Sequence, residues 1–264
     1  MNLQETIRKL LIVPDSHASP KYDNERYHWL GKFILAERPD VIVNLGDFAD
    51  MPSLSSYDKG KGSFEGRRYV DDVAATINAL TTLEEYEEKA RKLDKKAKKK
   101  VYLPRKIITI GNHEARINRA CNDAPEFLGA MSVGDLEYAG FGYEVKGYHE
   151  PIIVGGIAFS HDFPSGISGR PIGGENIGTT LIQKNLMSSV CGHNHLYHHS
   201  ERTRVDGRKM FGLSAGCFVH PEMIEGWNKS THHLWWRGVV MLENVSEGYY
   251  DRINAITMRD LAKS

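Results

Sequence analysis

The chain has 264 residues, and its 34 lysines and arginines balance 34 aspartates and glutamates, so the formal net charge is zero. This balance provides no whole-molecule attraction for a polyanion, and no apolar run is long enough to span a bilayer. The three cysteines, Cys121, Cys191 and Cys217, lack a CxxC spacing and are expected to be reduced thiols. The N-terminus has no signal-peptide pattern, so we expect a cytoplasmic protein without a membrane partner. The length favours one domain, residues 1–264, with an inserted loop and helical segment at about 51–106.

The first half of the chain predicts alternating strands and helices. An apolar run at 10–13 precedes a helix that Asp23 is expected to cap, and Pro39 ends this helix before a second run at 41–45. Such a βαβ unit suits parallel strands. Residues 51–68 are rich in serine, glycine and basic side chains and predict a long loop, and residues 69 to about 100 predict one long helix or two.

The segment 89–106 contains ten basic residues and one acidic residue. A run of this kind is typical of a solvated helical surface, with its positive charge near the helix C-terminus. A contact with a phosphate backbone is the alternative interpretation.

The second half predicts further strands around two helices. Strands are expected at 107–110, 142–145, 152–159, 189–191, 197–205, 208–213, 235–243 and 249–256, with a hairpin turn at Asp206 and Gly207. Helices are expected at 115–126 and 175–187, and a glycine-rich loop at 164–174. The pattern as a whole predicts an α/β protein with two packed sheets and helices outside them.

Five of the apolar runs end in side chains that bind metals. In open α/β sheets, ligands lie outside the carboxyl ends of the strands, so these five ends could meet. Mixed carboxylates and imidazoles suit manganese, iron or zinc better than calcium or magnesium. The set is too large for one ion, so two ions are predicted, with a carboxylate such as Asp47 able to bridge them. The candidate groups are Asp15, His17, Asp47, Asp50, Asn112, His113, His161, His193 and His195.

These motifs resemble those of the calcineurin-like metallophosphoesterases. The family pattern is D-x-H, G-D-x-x-D, G-N-H-[DE], a lone histidine and G-H-x-H, in that order. The chain matches it at Asp15-Ser-His17, Gly46-Asp47-Phe-Ala-Asp50, Gly111-Asn-His-Glu114, His161 and Gly192-His-Asn-His195. The resemblance implies a metallo-dependent phosphatase-like fold, which is a four-layer αββα sandwich of two mixed sheets flanked by helices.

The resemblance also implies residue roles. One divalent ion would bind Asp15, His17, Asp47 and His195, and the other Asp47, Asn112, His161 and His193. Manganese is the expected metal, with iron, zinc or nickel as alternatives. Hydrolysis would use a metal-bridging hydroxide, with His113 as the general acid, Asp50 orienting it and Glu114 supporting the loop.

The substrate has to be inferred from departures from the family pattern. Met51-Pro-Ser follows Asp50, whereas the serine/threonine protein phosphatases carry Arg-Gly there. We expect Arg67, Arg68 and Arg170 to clamp a phosphodiester and Tyr57 or Phe64 to stack on a base. The expected function is therefore a phosphodiesterase or nuclease acting on DNA, RNA or nucleotides, and the alternative is a phosphomonoesterase for a protein or small molecule. The insert also looks like that of phage-encoded members.

Two rival interpretations compete with a metallophosphoesterase. Gly212-Leu-Ser214-Ala-Gly216 matches the nucleophile elbow of serine hydrolases, but too little chain follows Ser214 to supply the acid and the histidine. A non-catalytic scaffold resembling the retromer sorting subunit is the second rival. It is disfavoured because His113 and every ligand position are present.

Overall fold

The structure is a computed structural model that describes residues 6–224 and 230–263, and two β-sheets form its centre. In chain order the strands are β1 (Ile7–Val13), β2 (Val41–Asn44), β3 (Arg105–Thr109), β4 (Tyr143–Lys146), β5 (Ile152–Val154), β6 (Ile157–Ser160), β7 (Ser189–Cys191), β8 (Tyr197–Thr203), β9 (Lys209–Ala215), β10 (Gly238–Val245) and β11 (Arg252–Thr257). The first sheet has the order β11-β10-β1-β2-β3-β4, and the second has the order β5-β6-β7-β9-β8.

Both sheets are mixed. Strands β1 to β4 are parallel, whereas β10 pairs antiparallel with β1 and β11 antiparallel with β10. In the second sheet β6, β7 and β9 are parallel, and the outer strands β5 and β8 are antiparallel to their neighbours. Each sheet therefore has parallel strands whose carboxyl ends can carry a shared site.

The helices lie outside the two sheets. They are α1 (Glu25–Glu37), α2 (Tyr69–Lys96), α3 (Ala115–Asp123), α4 (Ile177–Asn185) and α5 (Met258–Leu261). Short 3-10 turns occur at Pro52–Leu54, Gly62–Phe64, Pro125–Phe127, Val133–Leu136, Gly166–Ser168 and His232–Leu234. No helix in the described ranges is both long enough and apolar enough to cross a membrane.

Alternating side chains on β1 show how the layers form. Leu10 and Ile12 join the apolar cluster between the two sheets, where they pack with residues such as Phe159. Leu11 and Val13 point the other way, into a cluster with the buried side chains of α1 and α2. On the far side of the second sheet, α4 packs against β6 and β7 through a third cluster. The resulting order of helix, sheet, sheet, helix confirms the predicted fold class.

Helix α4 approaches the second sheet closely because two glycines face each other. A Cβ on Gly178 would meet the Gly212 carbonyl oxygen of β9, and a Cβ on Gly212 would meet the backbone of Gly178. The absence of both side chains brings the helix backbone against the strand.

The structure corrects several predicted boundaries. The run 152–159 is two strands, because Gly155 and Gly156 adopt φ values of 57° and 82° and form a tight hairpin. The helix expected at 115–126 ends at Asp123, since a residue next to Pro125 is disfavoured in a helix. The last two strands begin at Gly238 and Arg252, later than predicted.

Two basic residues of the segment 89–106 form ion pairs with acidic residues of α2. Lys106 is buried and forms ion pairs with Glu87 at 2.9 Å and Glu84 at 3.3 Å. Arg91 is also paired with Glu84 and lies 3.6 Å from Glu87. These positive charges are neutralised by α2 itself and are directed into the fold.

Candidate metal centre

The predicted ligands come together at one end of both sheets. Asp15 and His17 follow β1, Asp47 and Asp50 follow β2, and Asn112 and His113 follow β3; His161 follows β6, and His193 and His195 follow β7. His161 Nδ1 donates to the Leu45 carbonyl at 2.9 Å, and the His193 N–H donates to Asp15 Oδ2 at 2.8 Å. These two bonds join the sheets, so the site lies between two sheet edges and is not at the rim of a single sheet.

One cluster contains Asp15, His17 and His195, whose ligand atoms lie within 4.8 Å of one another. His195 Nε2 lies 3.2 Å from Asp15 Oδ2, and all three side chains are buried. Asp15 Oδ1, His17 Nε2 and His195 Nδ1 have no hydrogen-bond partner among the described residues. Buried polar atoms without partners are costly, and a cation would satisfy them.

A second cluster contains Asp47, Asn112, His161 and His193. His161 Nε2 lies 2.9 Å from Asn112 Oδ1 and 3.2 Å from His193 Nδ1, and Asn112 Oδ1 lies 2.8 Å from His193 Nδ1. Because His161 Nδ1 carries the proton given to Leu45, the Nε2 atom has a lone pair when the ring is neutral. Acceptor atoms that converge in this way fit a metal ion, which supplies the missing positive charge.

Asp47 lies between the two clusters. Its Oδ2 atom is 3.4 Å from His161 Nε2 and 3.7 Å from His17 Nε2, and its Oδ1 atom accepts the His113 backbone N–H at 2.8 Å. One carboxylate oxygen therefore faces histidines of both groups. This is the placement that a carboxylate shared by two cations requires.

The backbone around the clusters is unusual. His17, Asp47, His193 and His195 have φ values of 47°, 46°, 66° and 58°. Residues other than glycine adopt this left-handed region at a cost of about 1–3 kcal/mol, and such residues concentrate at functional sites. The fold thus tolerates local strain at four of the seven predicted ligands.

Glu114 supports the loops that carry these ligands. Its carboxylate accepts the backbone N–H groups of Asp47, Ala49 and Gly111, each at 3.0 Å, and the hydroxyl of Tyr138 at 3.0 Å. The side chain is fully buried. It therefore fixes the turn after β2 to the turn after β3.

His113 is held at both ring nitrogens. Its Nδ1 atom lies 2.8 Å from the Asp50 carbonyl and 3.1 Å from Asp50 Oδ1, and its Nε2 atom accepts a hydrogen bond from Arg116 Nη2 at 2.8 Å. The carbonyl can only accept, so Nδ1 carries the proton. Burial, with the positive charges of His17 and Arg116, lowers the pKa of His113 to about 3. In this state the ring is neutral, whereas the general acid expected from the sequence would require a further proton on Nε2.

The charges of the other groups depend on one another. Burial would raise the pKa of Asp15, but His161, His195 and His17 hold it well below its usual value. Burial lowers the pKa of His17, but the hydrogen bond and charge of Asp50 raise it to about 9. Burial raises the pKa of Asp47, and the nearby Glu114 and Asp15 add to this effect. The raised pKa values of His17 and Asp47 favour bound protons in these clusters, and a divalent cation would supply positive charge in their place.

A cleft of about 1170 Å³ opens over the candidate metal centre. Tyr57, Arg67 and Arg68, three of the predicted substrate contacts, line it together with Lys21 and Lys61. Arg67 is already engaged, since it bonds Asp58 Oδ2 at 2.9 Å and the Pro52 carbonyl at 3.1 Å. The cleft lining includes no residue of the segment 89–106.

The predicted clamp with Arg170 is not formed. Arg170 is exposed and does not line the cleft, because its loop closes on itself through a bond from the Ser165 N–H to the Arg170 carbonyl at 2.7 Å. Phe64 is not in the lining either, and its ring lies 5.6 Å from the Arg67 guanidinium. The base-stacking prediction is therefore limited to Tyr57.

The sequence interpretation overlooked two side chains at the site. Arg116 contacts His113, and its position two residues after the G-N-H-E motif was the available signal. The Trp235 ring packs edge-on against His195 with centroids 4.2 Å apart. Trp235 lies far from any motif, so nothing in its neighbourhood pointed to the site.

The serine-hydrolase interpretation is wrong. Ser214 is fully buried within β9, and its hydroxyl donates to the Leu196 carbonyl at 2.7 Å. A nucleophile elbow requires an exposed serine on a turn between a strand and a helix.

The three cysteines are free and buried, as expected for reduced thiols.

Comparisons with known proteins identify structural neighbours at low sequence identity. No protein-family model matches the chain, and no curated protein matches it. YfcE, a phosphoesterase from E. coli, aligns over 94% of this chain and 100% of its own at 14% identity with a TM-score of 0.39. A predicted phosphoesterase from Streptococcus pneumoniae TIGR4 aligns over 95% of this chain and 97% of its own at 12% identity with a TM-score of 0.32. GAP50, the anchor in the inner membrane complex of Plasmodium, aligns over 96% of this chain and 89% of its own at 12% identity with a TM-score of 0.27. Two of these three proteins are described as phosphoesterases.

Proposed function

We propose that this protein is a metal-dependent phosphoester hydrolase with two divalent cations. The observation that carries the proposal is the position of Asp47 Oδ2, 3.4 Å from His161 Nε2 and 3.7 Å from His17 Nε2, between two buried clusters. Asp15, His17 and His195 would hold one cation, Asn112, His161 and His193 the other, and Asp47 both. Manganese is the expected ion, with iron, zinc or nickel as alternatives, because carboxylate and imidazole ligands accept all of them.

Cations bound there would lower the pKa of water and offset the charge on phosphate oxygens. The protein itself supplies the group that protonates the leaving oxygen. Asp50 occupies Nδ1 of His113 through its carbonyl and carboxylate, so Nε2 is the atom that gains and donates the proton once it no longer accepts the Arg116 N–H. Asp50 is thus a positioning residue, and His113 is the proposed catalytic acid.

The shape of the cleft favours a phosphodiester, as in nucleic acid or nucleotides. Its volume of about 1170 Å³ exceeds the space that a phosphate group alone would fill. Lys21 and Arg68 in the lining suit further phosphate groups, and the exposed Tyr57 ring suits a base. A phosphomonoesterase is the alternative.

A substrate panel tests this proposal. Bis(p-nitrophenyl) phosphate and p-nitrophenyl phosphate are compared first, with and without Mn²⁺, followed by single-stranded DNA, cyclic dinucleotides, mononucleotides and a phosphopeptide. We expect hydrolysis that requires Mn²⁺ and is faster for the diester. Faster hydrolysis of the monoester would favour the alternative. Bound metal without hydrolysis of any substrate would favour a scaffold.

His113→Ala separates catalysis from metal binding. A general acid contributes typically about 10²–10⁴-fold, so we expect kcat to fall by that factor. Bound manganese should remain near the wild-type amount, because His113 is not among the proposed ligands. Plasma emission measures the bound metal, and kcat is measured on the nitrophenyl diester. Together they show whether His113 acts in catalysis or in metal binding. Full activity in this variant would contradict the assigned role.

A further inference from the structure

Arg116 holds a guanidinium group at the cleft, directly beside His113. It lies in the first turn of α3, and its Nη1 atom donates to the carbonyls of Asp50 at 2.9 Å and Met51 at 3.2 Å. Its Nη2 atom donates to His113 Nε2 at 2.8 Å, and the residue lines the cleft. The group is therefore fixed in place before any substrate binds.

Some N–H donors of the guanidinium make no hydrogen bond within the described part of the chain. It carries five N–H groups, and the contacts above involve only Nη1 and Nη2. The Nε–H has no acceptor in the described part of the chain, and His113 occupies no more than one of the two Nη2 hydrogens. The Nε and Nη2 donors form the planar fork that matches two oxygens of a phosphate group.

Two other cationic groups along the cleft are less available. Arg67 and Lys61 both pair with Asp58, at 2.9 Å and 3.2 Å. Arg116 has no carboxylate partner among the described residues, and its other partners are two carbonyls and an imidazole. Its positive charge next to the candidate metal centre is thus not neutralised by a side chain.

We propose that Arg116 is the phosphate-binding side chain of this site. Its Nε–H and Nη2–H donate to two non-bridging oxygens of the phosphate group that is to be cleaved. This assignment rests on the proposed function, since it concerns the same substrate. The two carbonyls that hold Nη1 reduce the entropy lost on binding, because the side chain is already ordered. Because Arg116 lies beside His113, this phosphate would lie next to the proposed proton donor.

Two variants and one control test the assignment. Arg116→Met removes the donors at similar length, whereas Arg116→Lys keeps the charge and can still bond the two carbonyls but has no fork. Arg119→Met is the control, because Arg119 is exposed on the same helix and its one described bond is a long contact of 3.5 Å to the Asn112 carbonyl. For each protein, manganese content, melting temperature, kcat, KM and the dissociation constant of inorganic phosphate are measured, the last by calorimetry with and without Mn²⁺.

Arg116→Met should weaken phosphate binding and raise KM by roughly 10- to 100-fold, as expected for lost hydrogen bonds to a charged group. Arg116→Lys should show a smaller loss in the same direction, and Arg119→Met should stay within about threefold of wild type. Manganese content and melting temperature should change little in Arg116→Lys. If Arg116→Met fails to fold, Arg116→Lys decides the outcome.

Phosphate affinity and KM within threefold of wild type in the folded variants would overturn the assignment. An equal effect in Arg119→Met would also overturn it, because general electrostatics would then explain the loss. Calorimetry separates this question from the proposed function. A wild-type protein that binds phosphate through Arg116 but hydrolyses no ester would refute the enzyme and leave the binding role intact.

Discussion

Gly111 and Gly192 carry no functional group, yet each lies against a carboxylate of the candidate metal centre. A Cβ on Gly111 would meet Asp47 Oδ1, and a Cβ on Gly192 would meet Asp15 Oδ1. The glycines in the two motifs are therefore explained by the space that these carboxylates occupy. At the scale of single residues, the centre depends as much on missing side chains as on ligands.

Gly192→Ala should displace Asp15 and weaken metal binding. We expect manganese affinity to fall by at least about tenfold and stability by about 1–3 kcal/mol, because the added methyl group meets a buried carboxylate. Gly62→Ala is the matched control, since a methyl group added to Gly62 would have no atom within 4 Å and the backbone conformation there is ordinary. Metal titration and urea unfolding of both variants provide the comparison. An unchanged affinity in Gly192→Ala would refute the steric explanation.

Glu114→Gln should loosen the loops of the site. A glutamine has one acceptor oxygen, so it cannot accept from three backbone N–H groups and the Tyr138 hydroxyl together. We expect a loss of about 2–4 kcal/mol in the free energy of unfolding, measured with urea. Glu126→Gln should have little effect, because Glu126 is exposed. A loss of less than about 0.5 kcal/mol in Glu114→Gln would contradict the supporting role.

Sequence alone could nominate the ligand-type residues because each one follows an apolar run. It could not show which of the charged residues line the cleft or which of them are paired with another side chain. Arg67 and Arg170 look equivalent as isolated arginines, but the first pairs with Asp58 and the second lies outside the cleft. Pairing of this kind depends on side-chain directions, which the order of residues does not specify.

Asp72 connects helix α2 to the loop at 51–55, which belongs to the segment that the sequence predicted to be irregular. Asp72 is buried and accepts the Ser53 backbone N–H at 2.9 Å. Burial is the main reason that its pKa is raised to about 6, and the charge of Asp50 adds to the effect. The first turn of this helix therefore contains a carboxyl group that is less stable when it is charged.

Stability should depend on pH through Asp72. Its pKa in the folded protein lies above the ordinary value of 3.8, so the folded state binds more protons between about pH 4 and 6 and stability falls as pH rises through this range. Asp72→Asn should gain about 1–3 kcal/mol relative to wild type on going from pH 4.5 to pH 8. Urea unfolding at both pH values measures the difference. Asp71→Asn is the control, because Asp71 is exposed, and an equal gain there would exclude the role of burial.

At the scale of elements, sequence patterns located nearly every strand and helix but misjudged where some of them end. The run 152–159 is apolar throughout, and only the left-handed conformations of Gly155 and Gly156 divide it into β5 and β6. The segment 89–106 shows the opposite case. Its charge predicted a solvated helical surface, whereas Lys106 lies in β3 and is buried against Glu87.

Each cluster of the candidate metal centre takes side chains from both sheets. Asp15 and His17 belong to the first sheet and His195 to the second, and Asp47 of the first sheet faces His161 of the second. Bound cations would therefore connect the sheets at the open end of the sandwich. At the scale of the whole molecule, metal binding and folding stability should be linked.

Manganese should raise the melting temperature of the protein. A ligand at 100 times its dissociation constant contributes about 2.7 kcal/mol, which corresponds to a rise of roughly 5–10 °C for a chain of this size. A chelator should reverse the rise, and His161→Ala should reduce it. His28→Ala serves as the control, because His28 is exposed on α1. Melting curves that are identical with and without manganese would exclude this linkage.

The pairing of β1 with β10 governs how the chain can be assembled. Leu10 lies opposite Leu242 and Ile12 opposite Val240, so the second strand to border β1 is made long after β1 itself. Every proposed ligand precedes residue 196, yet a nascent chain of that length still lacks β9 and β10. Its central hydrophobic strands would be open to association with other chains. We therefore expect a product truncated after Leu196 to be recovered in inclusion bodies, and a soluble, manganese-binding fragment of that length would show that the late strands are dispensable.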